Sequence, residues 1–224
     1  MSFASAILAF LSTLKAPNQV PKNVAVLWPF DNPEVIRIRH EFYQKFFADT
    51  RKRVFLIGIN PGRYGAGVTG IGFTDPIHLA ADCGIPHGLP GGRELSGDFI
   101  YEMIHAFGGA AEFYRHFYIT ALSPLGYTRD GKNLNYYDVK EFPDQLDEWM
   151  ADAMAAQIKA GCDRRVAFSL GRGAHFKQLE KFNQRHDFFE KIEPLPHPRW
   201  VMQYRRKRLS EFVEEYVSAL REAL

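Results

Sequence analysis

The chain has 224 residues, 46% hydrophobic and 24% charged, with a formal net charge of +2. The length suits one substantial core, read as a single domain over residues 1–224, and so small a net charge identifies no partner. Two cysteines, Cys83 and Cys162, exclude a four-thiolate zinc or iron–sulfur site and a disulfide scaffold, and the eight histidines contain no H-E-x-x-H spacing. A protein of the reduced cytoplasm with no cofactor and no metal is therefore expected.

The N-terminal stretch MSFASAILAFLSTLK is apolar, but it lacks a basic leader and is too short to span a bilayer. Phe3, Ile7, Leu11 and Leu14 share one helical face, so a packed helix is predicted over about 2–15. Four strands are predicted at 54–59, 117–122, 165–170 and 188–193. Helical patterns lie near 33–49, 97–108, 143–160 and 173–184, and a last helix near 207–222 carries Leu209, Phe212, Val213, Tyr216, Val217 and Leu220 at helical spacing. Strands alternating with helices imply an α/β fold with a mostly parallel sheet, whose ligands bind beyond the C-terminal strand ends. The segments following those ends are Asn60-Pro61-Gly62, Ser123-Pro124-Leu125, Gly171-Arg172-Gly173 and Pro196-His197-Pro198-Arg199.

Two glycine patterns fail on context. Gly65 to Gly70 matches G-x-G-x-x-G, but it neither follows a strand directly nor opens a convincing helix, as a dinucleotide site requires. Gly126 to Asn133 is one residue short of a phosphate-binding loop, and Asn133 stands where a magnesium-holding hydroxyl belongs.

Asn60 leaves a buried strand for the rim of the sheet. Pro61 stiffens the backbone there and Gly62 permits close approach of a ligand. An asparagine amide does not ionise, so it can hold a water or a polar ring but is a poor general base; alternatively it only caps a turn. His197 lies between two prolines. The segment after it interleaves Arg199, Arg205, Arg206, Lys207 and Arg208 with Trp200, Met202 and Tyr204. Cations for phosphate and rings for stacking suit a nucleic-acid surface, against the plainer reading of a solvated basic cap.

These residues resemble the single-strand-selective monofunctional (SMUG-type) uracil-DNA glycosylases. GINPGRYGAGVTGIGF resembles the family's first active-site motif and LPHPRW its second, with ELSGDFIYEMI, SPLGYTRDGKNL and FSLGRGAHFKQL falling between them in the same order. The likeness covers about residues 28–220 and is closest to a bacterial branch. It implies the uracil-DNA glycosylase fold, three-layer α/β/α with a four-stranded mostly parallel sheet. It also implies removal of uracil from single-stranded or duplex DNA by hydrolysis of the N-glycosidic bond.

By the same resemblance Asn60 positions the attacking water and His197 donates a hydrogen bond to the departing base. Gly58, Ile59, Pro61, Gly62, Tyr64 and Phe73 line the base pocket, with Phe73 stacked on the ring. Arg199, Trp200, Met202, Arg205 and Arg206, with Ser96, Lys132 and Asn133, meet DNA. The family's base-reading asparagine falls at Ala121 here, so Thr120 or Ser123 substitutes for it or the base preference shifts toward xanthine or hypoxanthine. No lysine nucleophile stands in either motif, so strand cleavage is not expected. The rival readings are a non-catalytic nucleic-acid-binding protein on the same fold and a small-molecule hydrolase, which lacks the G-x-S-x-G elbow it needs.

Overall fold

A computed structural model describes residues 1–224. Its central sheet has four parallel strands in the order β3-β2-β6-β7: β2 is Arg53–Gly58, β3 Phe117–Ala121, β6 Cys162–Leu170 and β7 Ile192–Leu195. Every residue of β2 is buried, because it pairs on both edges and is covered on both faces. Gly58 pairs with Ala121, and Leu170 with Leu195, so the strands end level and their loops share one rim.

Helix α1 (Phe3–Thr13) is capped by Ser2, whose hydroxyl accepts from Ser5 N–H. It packs on α2 (Pro33–Phe47) and α7 (Phe142–Gly161), with Phe3 stacked 5.4 Å from Phe47 and edge-on 5.1 Å from Tyr118. Arg53 is fully buried at the start of β2. Its guanidinium donates to Tyr114 O and Asp49 and lies 4.8 Å from the rings of Phe3 and Phe47.

A second, antiparallel sheet has the order β1-β4-β5: Ala25–Leu27, Gly126–Arg129 and Lys132–Leu134. Its hairpin turns at Asp130-Gly131, both left-handed with φ of 49° and 71°, the backbone such a tight turn needs. These strands escape the hydrophobic pattern because each is only three or four residues long.

The remaining helices are α3 (Ala66–Thr69), α4 (Pro76–Ala81), α5 (Leu95–Phe107), α6 (Ala110–His116), α8 (Ala174–His186), α9 (Pro198–Tyr204) and α10 (Leu209–Glu222). Two expectations are corrected. The strand expected at 188–193 begins only at Ile192, because Asn183 Oδ1 accepts from the N–H groups of both Phe188 and Phe189 and holds them in a loop. The basic cluster does not open the last helix. Arg205 ends α9, and Arg206–Arg208 form a single 3-10 turn before α10.

Candidate active site

Asn60 follows β2 and is half-buried. Its Nδ2 donates to Leu134 O at 3.2 Å, and its Oδ1 accepts from Tyr136 N–H at 3.1 Å. A carbonyl only accepts and an N–H only donates, so these two partners fix which way the amide points. The small sheet thus orients Asn60 through the end of β5 and leaves one Oδ1 lone pair for a water.

His197 caps α9. Its Nδ1 accepts from Arg199 N–H at 3.1 Å. Nδ1 must therefore carry the lone pair and Nε2 the proton. Burial, and then the Arg199 cation, push its pKa down to about 4, so the ring is neutral at pH 7 and presents Nε2–H as a donor. Pro198 occupies the first turn, where its missing N–H costs nothing. The Tyr216 hydroxyl on α10 donates to Pro196 O and pins the approach. Behind the sheet rim, buried His175 donates from Nε2 to Ile57 O at 2.9 Å, and burial likewise lowers its pKa to about 4.

Phe73 has φ of 54°, a left-handed backbone costly for a bulky residue and a pointer to function. Its ring lies over Gly58, where any Cβ would collide with it. The loop is held by buried Thr69, whose Oγ1 donates to Thr74 O at 2.6 Å and accepts from Ile71 N–H at 3.1 Å. Asp75 is fully buried. It caps α4 through His78 N–H, meets His78 Nδ1 at 2.9 Å and accepts from Glu94 N–H at 2.8 Å. Burial opposes its ionisation, but these hydrogen bonds outweigh it and hold the carboxyl below the usual range. Asp75 is thus a clip between loop and α5, with both oxygens occupied.

Asn60, Phe73 and His197 line one cavity of about 1070 Å³, open mouth included. Ile59, Pro61, Gly62, Thr120, Ala121, Ser96, Asn133 and Arg199 line it too. Gly58 sits beneath Phe73 rather than on the wall. Other expected site residues lie elsewhere. Tyr64 is exposed beneath the Arg63 guanidinium and does not line the cavity. Ser123 is fully buried, its hydroxyl 3.0 Å from both Leu125 O and Tyr127 Oη, so it cannot replace a base-reading amide. Thr120 reaches the wall, but its hydroxyl donates to Gln157 Oε1 at 2.6 Å.

Of the expected DNA-contacting residues, Trp200, Arg205, Arg206 and Lys132 are exposed outside the cavity. Arg205 lies 4.9 Å over the Trp200 ring. Met202 is a correction: it is 6% exposed and belongs to the core, because Val201 and Met202 face inward where α9 packs on α5. The sequence reading missed Glu94 and Asn135 on the cavity wall. Glu94 lies in the stretch ELSGD, two residues before Ser96, but a single glutamate before a helix carries no sign of burial. No group of three or more His, Cys, Asp or Glu is placed to hold a metal, and no helix is long and apolar enough to cross a membrane.

No curated protein matches the chain. A crystal structure of wild-type SMUG2 from Pedobacter heparinus is similar at 38% identity and a TM-score of 0.95, over 100% of this chain and 98% of that one. The family model of the uracil DNA glycosylase superfamily matches residues 44–221, a span that holds Asn60, Phe73, Glu94 and His197. The chain belongs to the uracil DNA glycosylase superfamily.

Proposed function

We propose that this chain is a monofunctional DNA glycosylase that removes uracil, and other deaminated bases such as xanthine or hypoxanthine, from single-stranded or duplex DNA. The observation that carries this reading is the convergence of an oriented amide, a neutral imidazole donor and an aromatic ring carried on a left-handed backbone on one cavity. A base inside a helix is out of reach, so the nucleotide swings out of the stack and its ring lies against Phe73. As the bond from C1′ to the base nitrogen breaks, the sugar gains oxocarbenium character and the base gains negative charge. His197 Nε2–H meets that charge at a base oxygen; a preorganised donor of this kind is typically worth about 10²–10³ in rate. A water accepted by the free Oδ1 lone pair of Asn60 adds to C1′ and its proton passes to solvent.

No lysine lines the cavity, so no side-chain amine is in place to form a Schiff base with the sugar and cleave the strand. Arg199 at the mouth, with Arg206 and Lys207 on the adjacent turn, supplies cations for the phosphate backbone.

The test is release of free uracil, xanthine and hypoxanthine from single-stranded and duplex oligonucleotides. Release without strand breakage supports the reading. A protein that binds those oligonucleotides yet frees no base would instead be a nucleic-acid-binding member of the fold.

A further inference from the structure

The cavity is lined by one carboxyl group, and the mechanism above does not use it. Glu94 lines it beside Ser96, His197 and Arg199, and its carboxyl makes no hydrogen bond to any protein group. The carboxyl presses against the loop after Asn60. A side chain at Gly62 or Gly65 would collide with it, and Asn133 Nδ2 flanks the same spot. The backbone N–H of Glu94 is clipped to Asp75 at 2.8 Å, which fixes the main chain from which the carboxyl reaches the cavity. Meanwhile Ala121 contributes only a methyl group to the wall, Thr120 has given its hydroxyl to Gln157, and Ser123 is turned away.

We propose that Glu94 is a specificity-determining residue, whose carboxyl hydrogen-bonds the lactam edge of the extruded base. This rests on the glycosylase reading and adds the group that recognises the ring. A lactam presents an N–H donor beside a carbonyl acceptor, in uracil and in the six-membered rings of xanthine and hypoxanthine alike. A protonated carboxyl offers the matching pair, an O–H donor and a carbonyl acceptor, which is the pattern an amide would offer. The surroundings favour that form: burial first, and then the Asp75 carboxylate, push the Glu94 pKa up to about 7, against the opposing pull of Arg199 and His78. His197 also faces the cavity, but it stays neutral above about pH 4 and adds no charge near neutrality. A DNA phosphate at the mouth would raise the Glu94 pKa further, so binding of substrate itself favours the recognising form.

The experiment compares wild type, Glu94→Gln and Glu94→Ala in single-turnover release of uracil and xanthine from pH 5.5 to 9, with thermal melting as a check on folding. Wild-type kcat/KM should fall as pH rises through the region near 7. Glu94→Gln, always neutral and nearly isosteric, should keep activity within about threefold at pH 6 and lose that inflection. Glu94→Ala should lose about tenfold or more on a lactam base, the size of one or two hydrogen bonds. Unchanged kcat/KM in Glu94→Ala, or the same inflection in Glu94→Gln, would overturn the role of Glu94 while leaving the glycosylase reading intact. A wild type that releases no base would remove both.

Discussion

His197 owes its chemistry to its position as a helix cap. Because Nδ1 is spent on Arg199 N–H, the proton sits on Nε2 and points the donor into the cavity. A neutral donor gains strength as the leaving base becomes anionic, so its removal should act on the chemical step. His197→Ala should lower kcat by about 10²–10³ in single-turnover release while DNA affinity stays within a few fold. A mutant that binds weakly but turns over normally would place His197 in binding instead. Asn60 and His197 were legible in the sequence because each is a polar residue at a strand end between stiff neighbours. Glu94 was not, since its place depends on a loop folding across from another part of the chain. Its raised pKa arises only when Asp75 and the cavity wall assemble around it.

At the scale of elements, the segment from Gly65 to Asp75 carries the strain. The literal glycine motif there, which lacks the strand-to-helix context of a cofactor loop, forms the short α3 and a turn that forces Phe73 left-handed over Gly58. Thr69 ties the turn at both ends, so Thr69→Val, equal in volume but without the hydroxyl, should cost about 1–3 kcal/mol by stranding Ile71 N–H. Urea melts would measure that loss, and base release should fall with it as Phe73 loses its fixed place. The basic segment was legible as a cluster but not as a shape. Pro198 starts a helix that takes Met202 into the core. Within the cluster Arg208 is paired with Glu211 at 2.6 Å and Arg205 lies on Trp200, which leaves Arg206 and Lys207 without an acidic partner. Arg206→Ala should therefore flatten the slope of log affinity against log salt by about one, with little effect on kcat. Arg208→Ala should change that slope less, because its charge is already met.

The whole molecule was legible where the pattern was long and apolar: three of the four parallel strands and the longer helices fell near their expected places, and the level strand ends located the site. The second sheet was not, yet it and the 3-10 turn that follows β5 hold the Asn60 amide, through the Leu134 carbonyl and Tyr136 N–H. Folding this site also sets how stability responds to acid. His175 and His197 are held at about 4 against an ordinary 6.5, so between those values the unfolded chain binds protons that the folded chain refuses. Their contribution is fully present above about pH 6.5 and is lost as pH falls toward 4. Glu94 acts in the opposite sense. Held at about 7 against 4.5, it binds its proton first in the folded state, so its contribution is present at low pH and is lost as pH rises through 7. Two histidines outweigh one glutamate, and the midpoint of thermal unfolding should therefore fall as pH goes from 6.5 to 4.5. Glu94→Gln should steepen that fall by removing the opposing group. His175→Leu should lower the midpoint at pH 7, since Ile57 O loses its donor, but make the fall with acid shallower. Parallel curves for all three proteins would assign the acid sensitivity to the carboxylates of the surface rather than to the groups around the cavity.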